Sequence, residues 1–125
     1  MEQKKDKIVL AVDDTVENID ILRSILGETY KVKVALSGEK ALMIAAKKTP
    51  NIILLDIMMP EMDGYEVCRQ LKADETTRDI PVIFVTGHQD EDERSKGLGL
   101  GAVDYITKPV DPEIVLEKVR AHLKA

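Results

Sequence analysis

Ile52-Ile53-Leu54-Leu55-Asp56 is the stretch of sequence that most constrains the fold, because four branched apolar residues lead directly into a carboxylate. A short apolar run with a polar residue after it is typical of a strand that is buried on both faces, as in a parallel sheet. Runs of the same kind recur at residues 8–12, 32–36, 81–85 and 102–106. The sequence therefore predicts five buried strands, the third of them at residues 52–55.

Longer segments with helical spacing separate these runs. Apolar residues at positions 16, 19, 22 and 26 repeat every three or four residues, and Gly27 is suited to ending that helix. Ser37 and Asp111 are good N-cap residues for helices that extend to about residues 48 and 123, and Pro112 suits a first helical position. Further helices are predicted at residues 64–73 and 90–98. Five repeats of strand and helix indicate one α/β domain with an open parallel sheet and helices on both faces.

The composition is that of a single globular domain. The chain has 125 residues, 44% hydrophobic and 33% charged, and its formal net charge is −5. An acidic surface disfavours general electrostatic binding to phosphate backbones, so no direct nucleic-acid binding is expected. The one cysteine, Cys68, has no internal disulfide partner, and the apolar stretch at residues 8–12 is too short to span a membrane. We therefore expect a cytoplasmic protein without membrane contact.

Polar residues follow four of the five predicted strands, and parallel strands bring these ends to one edge of the sheet. Asp13 and Asp14 follow the first strand, Asp56 the third, Thr86 the fourth and Lys108 the fifth. Each of these residues alone is common in a turn or a cap, but their coincidence at one edge indicates a functional crevice. Three neighbouring carboxylates repel one another unless a cation lies among them, and carboxylates without a His or Cys cluster suit Mg²⁺. The sequence therefore predicts a magnesium site.

The same residues stand in motifs that resemble those of response-regulator receiver domains. The resemblance runs from about residue 7 to residue 123, in the family's order and spacing. It rests on Asp13-Asp14, on Leu54-Leu55-Asp56-Ile57-Met58-Met59-Pro60 with Met62-Asp63-Gly64, on Val85-Thr86 and on Asp104-Tyr105-Ile106-Thr107-Lys108-Pro109. It implies one receiver domain over residues 1–125 with the flavodoxin-like (βα)5 fold, a doubly wound parallel sheet in strand order 2-1-3-4-5 as in chemotaxis regulators.

By this resemblance Asp56 is the phosphoryl acceptor. Mg²⁺ is held by the carboxylates of Asp14 and Asp56 and by the backbone carbonyl of Met58, while Asp13 reaches the metal through a water molecule. A carboxylate nucleophile suits an acyl-phosphate product, and phosphoryl transfer needs mainly in-line positioning and cationic neutralisation. The implied role of Asp56 thus agrees with the chemistry of the predicted acidic cluster.

The resemblance also implies which residues contact the phosphoryl group and which change conformation when it is bound. Thr86 and Lys108 contact the phosphoryl oxygens. Tyr105 turns inward on activation, which alters the face formed by the fourth helix, fifth strand and fifth helix. Met58 and His88 flank the path of the hydrolytic water. Met58 can cover the phosphoryl group but cannot orient a water molecule, whereas a neutral His88 can accept a hydrogen bond from one. We expect shielding by Met58 to dominate the phosphoryl lifetime.

The resemblance further implies partners. The phosphoryl group is expected to come from a histidine kinase or a phosphotransfer protein, and the chain to catalyse only its own phosphorylation and dephosphorylation. An output domain beyond residue 125 and homodimerisation on phosphorylation are left open as further expectations. Residues 104–108 and 119–123 resemble receivers that are joined to cyclic di-GMP enzymes.

Two other classes of function stay open. A degenerate receiver would serve only as a docking module, although every expected site residue is present. An aspartate-nucleophile phosphatase would carry its nucleophile after the first strand with a second acid two residues on, but Asp13 is followed by Asp14-Thr15-Val16. Stoichiometric labelling that requires Mg²⁺ would support the receiver, and steady-state turnover of a phosphate ester would support the phosphatase.

Overall fold

The computed structural model describes residues 7–87 and 91–123. Strands and helices alternate along the chain, as the spacing of the apolar runs predicts. The strands are β1 (Ile8–Val12), β2 (Lys31–Ala35), β3 (Ile52–Asp56), β4 (Val82–Thr86) and β5 (Asp104–Thr107), and the helices are α1 (Val16–Leu26), α2 (Gly38–Lys47), α3 (Gly64–Ala73), α4 (Glu91–Gly99) and α5 (Pro112–His122). None of the helices in this described part of the chain combines the length and the apolar character that crossing a membrane requires.

All five strands form one parallel sheet in the order β2-β1-β3-β4-β5, which confirms the predicted topology. Every residue of β1, β3 and β4 is buried, because helices cover both faces of these central strands. The edge strands are β2 and β5, and in β2 Lys31 is exposed and Lys33 partly exposed. The strand order reverses between β1 and β3, so the crevice at their carboxyl ends is the expected ligand position of this fold.

The sheet separates two apolar cores. Successive side chains of a strand point to opposite faces, so Leu55 lies in a core with Val67 of α3, while Leu54 lies in a second core with Leu22 of α1 and Val115 of α5. Complete burial of one such side chain stabilises the fold by about 1.5–3 kcal/mol. Apolar packing on both faces therefore holds the central strands, and the residues at their carboxyl ends, in fixed positions.

The predicted caps begin two of the helices. Ser37 Oγ accepts a hydrogen bond from the backbone N–H of Lys40 at 3.2 Å, and Asp111 Oδ1 accepts one from the backbone N–H of Glu113 at 2.9 Å. Pro112 is the first residue of α5. Such a cap is typically worth about 1 kcal/mol of stability. Local sequence therefore determines where α2 and α5 begin.

Four of the five strands differ from their predicted bounds. β3 also includes Asp56, β4 is shifted by one residue to Val82–Thr86, and the larger differences are in β2 and β5. β2 begins one residue earlier than predicted, because Lys31 lies in register with β1, and it ends before Leu36, which is exposed. β5 begins at residue 104 rather than 102, because the backbone N–H of Ala102 donates to the carbonyl of Gly97 and so belongs to the turn that ends α4. The apolar pattern alone does not distinguish paired residues from apolar neighbours.

Candidate functional site

Two neighbouring central strands carry the acidic residues of the candidate site. Asp56 is the last residue of β3, and Asp13 and Asp14 directly follow the adjacent β1. Each of the three offers a carboxylate oxygen, and these oxygens lie within 4.8 Å of one another. Asp13 and Asp56 are only 1% and 4% exposed, whereas Asp14 is exposed. The structure therefore brings together the three carboxylates that the sequence predicts for one crevice, and we name them the acidic cluster.

Lys108 is the cation at the acidic cluster. It follows β5, and its Nζ donates to Asp13 Oδ2 at 3.0 Å and to Asp56 Oδ1 at 3.3 Å. The other carboxylate oxygen of Asp13 accepts the backbone N–H of Thr15 at 2.9 Å. Both oxygens of Asp13 are thus engaged by the protein itself. This arrangement fits the expectation that Asp14 and Asp56, rather than Asp13, meet a metal ion directly.

Burial and like charge both act on the acceptor candidate. Burial raises the pKa of Asp56 above its ordinary value and the charge of Asp13 raises it further, while Lys108 opposes both effects. Burial alone would lower the pKa of Lys108, but its hydrogen bond to Asp13 and the charges of Asp56 and Asp13 outweigh burial and raise that pKa. Lys108 therefore stays protonated at neutral pH. One lysine does not neutralise three carboxylates, so the cluster attracts a further cation.

The donor set of the acidic cluster fits Mg²⁺. All three side chains are hard oxygen donors, and within the described residues the cluster includes no His or Cys. Met58 lies two residues after Asp56 in the loop that leaves β3, and its side chain is 65% exposed. The carboxylates of Asp14 and Asp56 and a backbone carbonyl of that loop are the groups that would hold the ion. The bound ion would neutralise charge on reacting oxygens.

Gly64 holds the loop between β3 and α3 against the end of β3. Its N–H donates to the carbonyl of Ile57 at 2.8 Å. A Cβ here would collide with the carbonyl oxygen of Asp56 and lie 2.8 Å from the Cα of Ile57, so only glycine fits. Beside it, Asp63 caps α3 by accepting the N–H of Glu66 at 3.0 Å. The apolar pattern does not indicate this position for Gly64, although an Asp cap followed by glycine just after the acidic strand end is a signal for it.

The other predicted residues lie at different places along the sheet edge. Thr86 ends β4, beside β3, is 4% exposed, and accepts the backbone N–H of Lys108 at its carbonyl at 2.7 Å. Tyr105 lies within β5, partly exposed, and packs against the core on the α3 side of the sheet. His88 lies outside the described residues. Thr86 and Lys108 thus join the edge that carries the acidic cluster, while Tyr105 lies further back in the sheet.

The chain is similar to proteins of known family. The family described as response regulator receiver domain matches residues 9–120. Response regulator PleD from Caulobacter vibrioides is 46% identical over 114 residues, which are 90% of this chain and 25% of that protein. A probable cyclic di-GMP phosphodiesterase from Vibrio cholerae is 43% identical over 124 residues, which are 99% of this chain and 28% of that protein. The chain thus spans about a quarter of the length of these two relatives.

A solved structure shares the fold almost throughout. The chemotaxis protein CheY4 of Vibrio cholerae superposes with a TM-score of 0.89 at 28% sequence identity, covering 94% of this chain and 98% of that one. The family match at residues 9–120 includes the acidic cluster and all five strand ends described above. The chain belongs to the response regulator receiver domain family.

Proposed function

We propose that this receiver accepts a phosphoryl group on Asp56, with Mg²⁺, from a histidine kinase or a phosphotransfer protein. One observation carries the proposal. The carboxylate of Asp56 ends a central strand, is 4% exposed, and lies among two further carboxylates and the ammonium group of Lys108. Carboxylates that are buried close together destabilise a fold because their charges repel one another. The same arrangement suits a site that binds a cation and transfers a phosphoryl group.

The transfer is a substitution at phosphorus. An oxygen of Asp56 attacks the phosphorus atom of a phosphohistidine, and the new O–P bond forms as the P–N bond of the donor breaks. The electron pair of the broken bond leaves with the imidazole nitrogen. Lys108, already 3.3 Å from Asp56 Oδ1, follows the negative charge onto the phosphoryl oxygens. Mg²⁺ held by Asp14 and Asp56 would supply further neutralisation of these oxygens, and the hydroxyl of Thr86 donates to one of them.

The proposal includes a response to this charge. Thr86 ends β4 and Tyr105 lies on the neighbouring β5, so movement of Thr86 toward the phosphoryl group makes room toward which Tyr105 turns. The surface formed by α4, β5 and α5 is then the face that changes, and we name it the switch face. A local gain of negative charge at Asp56 thereby changes the shape of the switch face, at a distance from Asp56.

The output lies outside the receiver fold. Receiver domains are signalling modules, and we take residues 1–125 as one such domain. That this chain covers 25% of PleD and 28% of the probable cyclic di-GMP phosphodiesterase supports control of a separate domain or partner. An enzyme of cyclic di-GMP metabolism is one candidate for that output, because the relative that is named for this activity is 43% identical to this chain.

Labelling with acetyl phosphate and Mg²⁺ tests the acceptor. Intact-mass spectrometry should show one added phosphoryl group that is lost in base, as acyl phosphates are. Asp56→Asn should abolish the adduct, whereas Asp74→Asn, at an exposed acid after α3, should label as the wild type does. An adduct that survives Asp56→Asn contradicts the assignment. Absence of any adduct on the wild type would support a docking module, and steady-state release of phosphate from an ester would support a phosphatase.

A further inference from the structure

Three of the four aromatic residues of the chain lie in the same apolar core on one face of the sheet. Tyr65 of α3 and Phe84 of β4 meet edge to face, with ring centroids 5.5 Å apart and ring planes at 67°. Phe84 and Tyr105 are register partners on adjacent parallel strands, so their side chains point to the same face of the sheet. We name Tyr65, Phe84 and Tyr105 the aromatic row. The aromatic row links α3, which follows the loop after Asp56, to β5, which carries Tyr105.

α4 rests on this row through two adjacent residues. A Cβ on Gly97 would lie 2.7 Å from a ring carbon of Phe84, so the backbone of α4 sits directly on that ring. The ammonium group of Lys96 lies 4.4 Å from the centroid of the Tyr65 ring, within the range of a cation–π contact. The two contacts fall on neighbouring rings of the aromatic row, one ring for each residue.

In residues 95–99, the part of α4 whose side chains the structure describes, few other contacts hold the helix. Of its residues 95–99, the part whose exposure the structure describes, only Gly97 is buried, whereas α3 buries five residues including Tyr65 and Leu71. Leu98, the apolar side chain of that stretch, is 42% exposed. A helical segment that buries so little apolar surface has low local stability, and single contacts then decide a large part of its position.

We propose that Lys96 and Tyr65 are positioning residues that hold α4 in its resting place on the aromatic row. The proposal rests on the switching role given above to Tyr105. An inward turn of Tyr105 crowds Phe84, its register partner, and Phe84 touches both Gly97 and the ring of Tyr65. Displacement of Phe84 therefore disturbs both supports of α4 at once. Lys96 leaves the ring of Tyr65, and α4 moves within the switch face.

Amide hydrogen exchange of residues 97–99, measured by NMR on the full chain without phosphodonor, tests the resting contact. Lys96→Met keeps the aliphatic stem and removes the charge, and it should speed exchange in α4 about two- to five-fold, the counterpart of about 0.5–1 kcal/mol for an exposed cation–π contact. Lys96→Arg should restore protection. Lys40→Met, at an exposed lysine of α2, controls for the loss of one charge. Equal exchange in Lys96→Met and the wild type overturns the proposal.

Titration with beryllofluoride, a phosphoryl mimic, tests the coupling to the switch. Because the resting state is weakened, Lys96→Met should reach half of the α4 chemical-shift change at a concentration about two- to five-fold lower than the wild type. In a Tyr65→Leu background the Lys96 substitution should have no further effect, whereas an unchanged effect overturns the pairing of these residues. If the wild type itself shows no shift and takes no label on Asp56, the proposed function fails, while the exchange result still decides the contact between Lys96 and Tyr65.

Discussion

Replacing Lys108 by Met removes the cation that bridges Asp13 and Asp56 and keeps a side chain of similar length. Asp13 and Asp56 are almost fully buried, and the contacts to Lys108 Nζ are 3.0 Å and 3.3 Å long. Their loss leaves two close carboxylates without a compensating charge. We expect this substitution to destabilise the metal-free protein strongly at neutral pH and much less in acid.

The size of the effect follows from the geometry. At these distances Coulomb's law with an effective dielectric constant of about 20 gives roughly 5 kcal/mol of gross attraction for each contact. Solvent screening makes the net attraction smaller than this gross value, because the side chain of Lys108 is 27% exposed. Proton uptake by Asp56, whose pKa is already raised, limits the penalty. Neutralising a carboxyl costs about 1.36 kcal/mol per pH unit above its ordinary pKa, or roughly 4 kcal/mol at pH 7 and 1.5 kcal/mol at pH 5.

We therefore expect a loss of about 2–4 kcal/mol in the free energy of unfolding at pH 7, shrinking to about 1 kcal/mol at pH 5. Lys108 itself keeps its charge over this range because its pKa is raised, so the pH dependence comes from Asp56, whose pKa is also raised. Urea unfolding at the two pH values measures it. Lys118→Met is the matched control: its side chain is 30% exposed and its partner Asp104 23% exposed, so its loss should cost at most about 1 kcal/mol. A penalty for Lys108→Met below that of the control, or one that does not fall in acid, would refute the reasoning.

Four further substitutions probe Mg²⁺ binding, the switch and the lifetime of the phosphoryl group. Asp14→Ala should weaken Mg²⁺ binding several-fold in an NMR titration, while apo stability rises or stays level because like charges are separated; a clear loss of apo stability would show that Asp14 is structural. Thr86→Ala should keep phosphorylation but lose most of the beryllofluoride shift around Tyr105, and shifts that reach Tyr105 unchanged would break the proposed link. Met58→Asn should speed loss of the phosphoryl adduct several-fold and His88→Ala should change it less, so the reverse order would make His88 the controlling residue.

Continuous apolar runs made the fold predictable from the sequence. β3 reads as four apolar residues before Asp56, and the structure finds all of them buried in a central strand. The bounds of β2 are predicted less exactly, because Lys31 and Lys33 interrupt its apolar residues. As an edge strand with one neighbour, β2 takes its bounds from pairing with β1. Ala102 is apolar and buried like a strand residue, yet its hydrogen bond belongs to the end of α4. Burial can be predicted from composition, but hydrogen-bond pairing depends on the neighbouring strand.

The acidic cluster was predictable for a similar reason, since the ends of parallel strands meet at one edge. Its internal arrangement was not. Nothing in the order of residues shows that Lys108 reaches both Asp13 and Asp56, or that Gly64 lies against the carbonyl of Asp56. The contact of Lys96 with the aromatic row is likewise a matter of helix placement. Contacts between residues far apart in the sequence can be identified only from the three-dimensional structure.

The charged edges of the sheet bear on how this protein meets copies of itself. An open sheet offers unpaired N–H and C=O groups at both sides, and long apolar edges invite strand addition and fibre growth. Here one edge carries Lys31 and Lys33, and the other is only four residues long and begins with Asp104, ion-paired to Lys118 at 2.8 Å. Growth by strand pairing is therefore disfavoured. We expect any homodimer formed on phosphorylation to meet through helices, which keeps assembly finite, reversible and dependent on the phosphorylated state.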